Sequence, residues 1–396
     1  MFPKLRFKEF DGDLTESKLV ELTSWASGGT PAKDVPEYWG DGIPLISGAS
    51  MHTNQLYESD VKITKLGLQK GSKLALKDSI LILVRGSMLF NKIPMGITLG
   101  DVAFNQDVKC IRPKQQLAPL FLFQWLHAKE NTIQNKVTAT GIGAGKLDTA
   151  DLQNLKLYKP SLEEQTKIAT FLSAVDEKIS QLTQKHQLLR EYKQGMMQKL
   201  FSQQVRFKAD DKSEFGEWEE KELKDIAEIN PKSKKLPESF IYIDLESVEK
   251  GKLLLQKNIE LQDAPSRAQR LLAKGDVLFQ MVRPYQQNNY YFNLSGEYVA
   301  STGYAQIRTK LDSKFIYYAL HEKTFLDEVM NRCTGTSYPA INSSDLSSIE
   351  ILIPCLEEQT KIANFLSSID QKIEVVAQQI EQAKQWKKGL LQNMFI

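Results

Sequence analysis

The strongest constraint on this fold is a stretch of 39 residues, Glu163 to Phe201, that returns in the same register as Glu357 to Phe395. Its opening is identical in both places: Leu162-Glu-Glu-Gln-Thr-Lys-Ile-Ala169 and Leu356-Glu-Glu-Gln-Thr-Lys-Ile-Ala363, an offset of 194 residues (162 to 356). From Ile168 the apolar positions step by four and three through Leu172, Val175, Ile179 and Leu182, then resume at Leu189, Met196 and Leu200. Ile362, Leu366, Ile369, Ile373, Val376, Ile380, Ala383, Leu390 and Met394 repeat that heptad. Such a stripe predicts a long helix that needs a partner helix, and each copy is the other's nearest source of one. Antiparallel pairing is expected, with Leu5-Arg-Phe7 sitting where Val205-Arg-Phe207 sits after the first helix.

The helix starts are marked by Pro160 and Pro354, and Ser161 with Glu164 forms a capping-box pattern in copy one. Cys355 replaces that serine in copy two, so a weaker cap is expected there. Lys193 and Lys387 interrupt the apolar stripe at equivalent positions, as lysines that snorkel or as points of subunit contact.

The repeat reaches beyond the helices. Thr140-Gly141 matches Thr334-Gly335, Asp151-Leu152 matches Asp345-Leu346, and DSILILVR (Asp78 to Arg85) corresponds to DVLFQMVR (Asp276 to Arg283). Ile80 to Val84, Val277 to Val282 and Ile349 to Ile353 are strand-like, while Leu120 to Lys129 and Phe315 to Leu326 are helix-like. The expected class is α+β, with a mixed domain at 1–155, a spacer helix at 156–204, a second domain at 205–348 and a second spacer helix at 349–396. A pseudo-twofold arrangement follows from the tandem copies.

Composition narrows the function. The 51 Lys+Arg against 49 Asp+Glu leave a net charge of +2, so nucleic-acid binding would need local clustering. No signal peptide or membrane span is evident, and a soluble cytoplasmic protein is expected. Cys110, Cys333 and Cys355 have neither disulfide nor zinc spacing. Gly141 to Lys146 lacks the first glycine and the final Ser/Thr of a phosphate loop, and its counterpart Gly335 to Ala340 has no lysine. No dinucleotide fingerprint and no histidine-rich metal spacing occur, so catalysis is not expected.

What remains is a vocabulary of recognition. Arg283-Pro-Tyr-Gln-Gln-Asn-Asn-Tyr-Tyr291 gathers amides, aromatics and a guanidinium after a strand, and Arg85-Gly-Ser-Met-Leu-Phe-Asn-Lys92 occupies the same place in copy one with other residues. Arg suits guanine O6/N7, and Asn or Gln suits adenine N6/N7. Lys62, Lys65, Lys70, Lys73, Lys77, Arg267, Arg270 and Lys274 stand near these loops as phosphate candidates.

Two diverged domains alternating with two near-identical helices that open Pro-x-Leu-Glu-Glu-Gln-x-Lys-Ile-Ala-x-Phe-Leu strongly resemble the specificity subunit of type I restriction-modification systems. The Phe215 to Glu220 element fits the same family. The resemblance implies a non-catalytic reader of double-stranded DNA, each domain contacting one half of an asymmetric site. It implies two methyltransferase subunits docked on the helices and carrying adenine N6-methylation, and restriction subunits, with no membrane association. S-adenosylmethionine, ATP and magnesium would belong to those partners and no cofactor to this chain. On this reading the DNA-contacting candidates in copy one are Ser47, Lys73, Arg85, Ser87, Asn91, Lys92, Asn105 and Gln106. In copy two they are Arg270, Arg283, Tyr285, Gln286, Gln287, Asn288, Asn289, Ser301, Thr302 and Tyr338. Partner docking and spacing fall to Glu163, Glu164, Gln165, Phe171, Glu357, Glu358, Gln359 and Phe365. At about 1.5 Å per residue the 39-residue helix is about 58 Å long, enough to separate two readers by somewhat more than a DNA turn of about 34 Å. The alternative is a coiled-coil scaffold whose globular ends bind proteins.

Overall fold

A computed structural model describes residues 3–141, 143–232 and 235–396. The heptads form two uninterrupted helices, Leu162–Phe201 and Leu356–Met394, of 40 and 39 residues. The chain divides into two compact units, and each takes part of both helices: one comprises 1–183 with 378–396, the other 184–377.

In the first unit, Ile168, Leu172 and Val175 share a core with Leu390, Met394 and Phe395, and Asp176 pairs with Lys387 at 2.5 Å. In the second, Leu200 shares a core with Ile362, Leu366 and Ile369, and Lys193 pairs with Asp370 at 2.6 Å. Early turns of one helix therefore meet late turns of the other in both units, which is antiparallel packing. The two lysines that break the stripe are held by carboxylates of the opposite helix. Each aspartate also accepts from its unit's globular part, from Gln124 Nε2 at 2.8 Å and from Tyr318 Oη at 2.7 Å.

The globular part of the first unit is built on two sheets. Ile80–Leu83 lies inside a five-stranded sheet, between Val108–Pro113 and Met95–Thr98, and is buried along its whole length because both faces are covered. A four-stranded sheet runs Lys62–Ile63, Trp39–Ile46, Val102–Phe104, Lys73–Ala75, with the middle pair parallel. The second unit repeats the plan. Val277–Gln280 lies between Tyr304–Thr309 and Tyr290–Tyr291, and a second sheet carries the parallel pair Ser239–Ile243 and Tyr298–Ser301.

The helix expected at Leu120 to Lys129 is Pro119–Ala128, begun by its proline. The helix expected from Phe315 to Leu326 is two, Ser313–Ala319 and Lys323–Arg332. The break is made by Glu322, whose carboxylate accepts from Thr324 N at 2.6 Å and from Phe325 N at 3.3 Å and so starts the second helix.

The segment before each domain closes onto a helix end as its sequence suggested. Leu5 N donates to Asn393 O at 2.9 Å, and Val205 N donates to the equivalent Lys199 O at 3.2 Å. Both bonds satisfy a carbonyl in the last turns of a helix. Among the described residues, no helix is long and apolar enough to cross a membrane, and no group of three His, Cys, Asp or Glu is placed to hold a metal.

Candidate nucleic-acid interface

The shared motif at the helix starts points inward. Glu164 is 2% exposed, Gln165 0%, Glu358 0% and Gln359 1%, so these four expected docking residues are not on the surface. Glu164 takes a two-pronged bond from Arg6, with Nε and Nη2 each at 2.8 Å from its oxygens. Glu358 takes the same from Arg206 at 3.1 and 2.7 Å, plus Trp218 Nε1 at 3.1 Å. These carboxylates push both guanidinium pKa values up, Glu164 for Arg6 and Glu358 for Arg206. Ser161 Oγ accepts from Glu164 N at 3.2 Å, but the Glu164 side chain reaches Arg6 and leaves the capping box half made.

Gln165 accepts from Ala118 N at 2.9 Å and donates to Pro160 O, while Gln359 accepts from Asp312 N at 3.2 Å and donates to Pro354 O. Each glutamine thereby ties the start of a long helix to the start of a domain helix. Phe7 packs edge-on against Phe171 at 5.8 Å, and Phe207 against Phe365 at 5.6 Å. Glu164 with Phe171, and Glu358 with Phe365, thus clasp the segment that opens each domain, while Gln165 and Gln359 fasten its helix. The motif's exposed members are Glu163 and Glu357, flanked by exposed Leu162 and Leu356.

Most candidates of the first domain converge at one end of its sheets. Asn105 N donates to Ile46 O at 3.0 Å, beside Ser47, and Val84 N donates to Asp107 O at 2.8 Å, which sets Arg85 next to the Asn105–Asp107 turn. Lys73 pairs with Phe104 across the sheet, one residue from Asn105. Arg85, Ser87 and Gln106 are exposed, and Asn105 Oδ1 accepts from Asp107 N at 3.1 Å, which shapes the turn. Asn91 and Lys92 are exposed beyond the turn Ser87–Phe90, where Ile93 N donates to Glu130.

One member of this face escaped the sequence reading. Arg85–Gly86 pairs with Gly145–Lys146, which pairs with Thr138–Ala139, so the glycine-rich segment is a hairpin that brings Lys146 opposite Arg85. Ile142 lies outside the described residues. The signal was the shared Thr140-Gly141 and Thr334-Gly335, since the second copy uses its counterpart in the same way. There Ala340 bridges to Thr334 and Val282, and Arg283 N donates to Pro339 O at 2.7 Å.

The second domain sorts its candidates into scaffold and face. Asn289 is buried, with Oδ1 accepting from Gln280 N at 2.8 Å, and Ser301 is buried, accepting from Gly303 N at 3.2 Å. Both hold the loops and do not face outward. Asn288 Oδ1 accepts from Lys250 N at 2.9 Å, Gln286 Oε1 accepts from Gln280 Nε2 at 3.0 Å, and Gln287 turns the chain in a left-handed conformation with φ 52°. Met281 N donates to Gly303 O and Thr302 N to Arg267 O, so the Ser301–Gly303 turn occupies the place of Asn105–Asp107. Arg270 lies on the neighbouring strand with Nε covered and unpaired, and burial pushes its pKa down. Tyr285 and Tyr338 are 50% and 64% exposed and, with Arg283, form the outward part. Behind them His321 is half-buried, its Nδ1 2.7 Å from Tyr317 O and its Nε2 3.4 Å from Asn289 Nδ2. Burial pushes its pKa down to about 4.

Residues 12–190 and 216–385 match the family model described as type I restriction modification DNA specificity domain. The chain is 27% identical over 409 residues to the type I restriction enzyme MjaVIII specificity subunit of Methanocaldococcus jannaschii, covering 97% of this chain and 94% of that one. It is 29% identical over 182 residues to the EcoR124I/EcoR124II specificity subunit of Escherichia coli, across 46% of this chain and 45% of that one. Among solved structures, the type I restriction-modification S subunit from M. genitalium shares the fold, with a TM-score of 0.63 at 17% identity over 100% of this chain and 99% of that one. A second, solved to explain complex assembly and conformational transition of the type I R-M system, has a TM-score of 0.56 at 17% identity over 97% of each chain. With both of its repeats matched by the family model, this chain belongs to the family of type I restriction-modification DNA specificity proteins.

Proposed function

We propose that this chain reads an asymmetric, two-part site in double-stranded DNA and takes no part in the chemistry itself. The observation that carries the reading is the equivalent placement of unlike faces. Each domain sets an arginine, Arg85 or Arg283, between a strand end and a Thr-Gly hairpin, and surrounds it with different side chains. Readers of two different half-sites need that combination of common frame and unlike contacts. Spacing falls to the paired helices, each about 60 Å long at about 1.5 Å per residue.

Two methyltransferase subunits would dock on the helix pair and restriction subunits would join them, a reading supported by the similarity to a chain studied for assembly of the type I complex. S-adenosylmethionine, ATP and magnesium would be bound by those subunits. The test exchanges residues 1–155 for the corresponding domain of a relative and maps methylated adenines in the host genome. One half of a gapped motif should change while the other stays, and a change in both halves would refute the division of labour. DNA retention by the complex should also fall steeply with salt, whereas salt-insensitive or absent retention would favour a protein-binding scaffold.

A further inference from the structure

Arg283 stands where the buried strand Val277–Gln280 leaves its sheet, and its backbone is left-handed, with φ 53° and ψ 54°. A residue with a Cβ stays there only when its surroundings over-determine it. Its N–H donates to Pro339 O at 2.7 Å, its carbonyl accepts from Gln286 N at 3.0 Å, and the residue before it bridges to Ala340. The side chain is fixed as well. Its guanidinium carbon lies 4.2 Å from the centre of the Tyr338 ring, and Nε is covered there without a hydrogen-bond partner.

Three other arginines of this unit are used internally: Arg206 pairs with Glu358, Arg308 with Asp276 and Arg332 with Glu328, and of the rest none but Arg283 is stacked on an aromatic ring among the described residues. Among the described residues Arg283 has no ion pair and no side-chain hydrogen bond. A planar fork stacked on an aromatic ring, aimed by a rigid backbone and left without a counter-charge, matches a planar pair of acceptors. In the major groove guanine offers that pair as O6 and N7, whereas adenine presents a donor beside its N7. A phosphate would need neither the stack nor the fixed plane. Arg85 is set differently, on a short strand opposite the like charge of Lys146.

We infer that Arg283, backed by Tyr338, reads one guanine in the half-site recognised by residues 205–348, an assignment that rests on the DNA-reading function above. The experiment uses the complex of the full chain with its methyltransferase partner. After the genomic motif is mapped, duplexes carrying 7-deazaguanine at each guanine in turn compete for binding. One guanine, in the half that changes when residues 205–348 are exchanged, should lose affinity by roughly 5- to 150-fold. In Arg283→Ala that penalty should vanish and the genomic motif should relax at the same base, with the other half-site unchanged. Tyr338→Phe should keep the preference and Tyr338→Ala should weaken it. If Arg283→Ala fails to assemble, Arg283→Met, which keeps the length of the side chain and removes every donor, decides on the same readout. Insensitivity of every guanine in that half, or a penalty that persists without the arginine, overturns the inference while the two-part motif stands. A wild-type complex with no gapped motif would instead sink the DNA-reading function itself.

Discussion

Replacing Glu358 with alanine tests whether the clasp holds the second unit together. The carboxylate is fully buried and takes three hydrogen bonds, two from Arg206 and one from Trp218. Its removal leaves the guanidinium with Gly216 O and a narrow edge to water, the Arg206 side chain being 19% exposed. Breaking a buried pair from one side costs about 3–5 kcal/mol, and the partial water access places this case near about 3 kcal/mol. For a unit of this size that lowers the melting temperature by about 6–12 °C. Arg206→Ala should cost more, about 4 kcal/mol, because it strands a charge with no exposure. Replacing both, Arg206→Met with Glu358→Leu, should come within about 1 kcal/mol of the wild type, since an apolar pair avoids both desolvation penalties. Differential scanning calorimetry gives the shifts, and hydrogen exchange over 205–222 and 356–366 locates the loosening. A Glu358→Ala loss below about 1 kcal/mol, or a double variant as unstable as the two single losses together, would refute the clasp.

Acid should weaken the second unit through His321. Its folded pKa of about 4 lies below the ordinary value of 6.5, so the unfolded chain takes up the proton first. Stability should therefore fall as pH drops from about 6.5 to about 4, by about 1.4 kcal/mol per pH unit at the steepest and about 3 kcal/mol in all. The urea midpoint against pH should be flatter in His321→Gln, and an unchanged slope would place the titration elsewhere. Gly28→Ala should destabilise the first unit by at least about 2 kcal/mol, because a Cβ there would sit 2.1 Å from Phe104 O; Gly12→Ala, with nothing within 4 Å, should stay within about 0.5 kcal/mol. Thermal melts of the two variants check the contrast. Inserting one heptad after Thr183 and another after Ala377 adds about 10 Å of helix, so the spacer in the mapped motif should lengthen by about three base pairs with both halves kept. An unchanged spacer would count against the helices as the ruler.

The long helices were legible because their heptad is local and repeated, and the return of Leu5-Arg-Phe7 was legible because Val205-Arg-Phe207 names the same contact. The role of Glu-Glu-Gln was not. Identity between copies marks a shared environment, and a shared internal clasp leaves the same trace in sequence as a shared docking surface. Which polar residues of the Arg283 loop face outward was equally hidden: Asn289 and Tyr285 both look like contact residues until the backbone N–H of Gln280 is seen to need an acceptor. Lys146 was missed because the pairing of Gly145–Lys146 with Arg85–Gly86 joins segments about sixty residues apart, and no periodicity reports such a partner.

The division into units also has a consequence in time. The unit that contains the first domain is discontinuous, and its core includes Leu390, Met394 and Phe395 as well as Ile168 and Leu172. The other unit is one continuous stretch, 184–377. At a synthesis rate of about 5–20 residues per second, the earlier domain waits roughly 10–40 s on the ribosome for the turns that complete its core. Meanwhile Leu162–Thr183 packs on its own domain but lacks the turns of Leu390, Met394 and Phe395 while the later domain is made. The domain translated first is thus completed last, and the unpartnered side of its half-helix is open to chaperones or to a neighbouring copy in that interval.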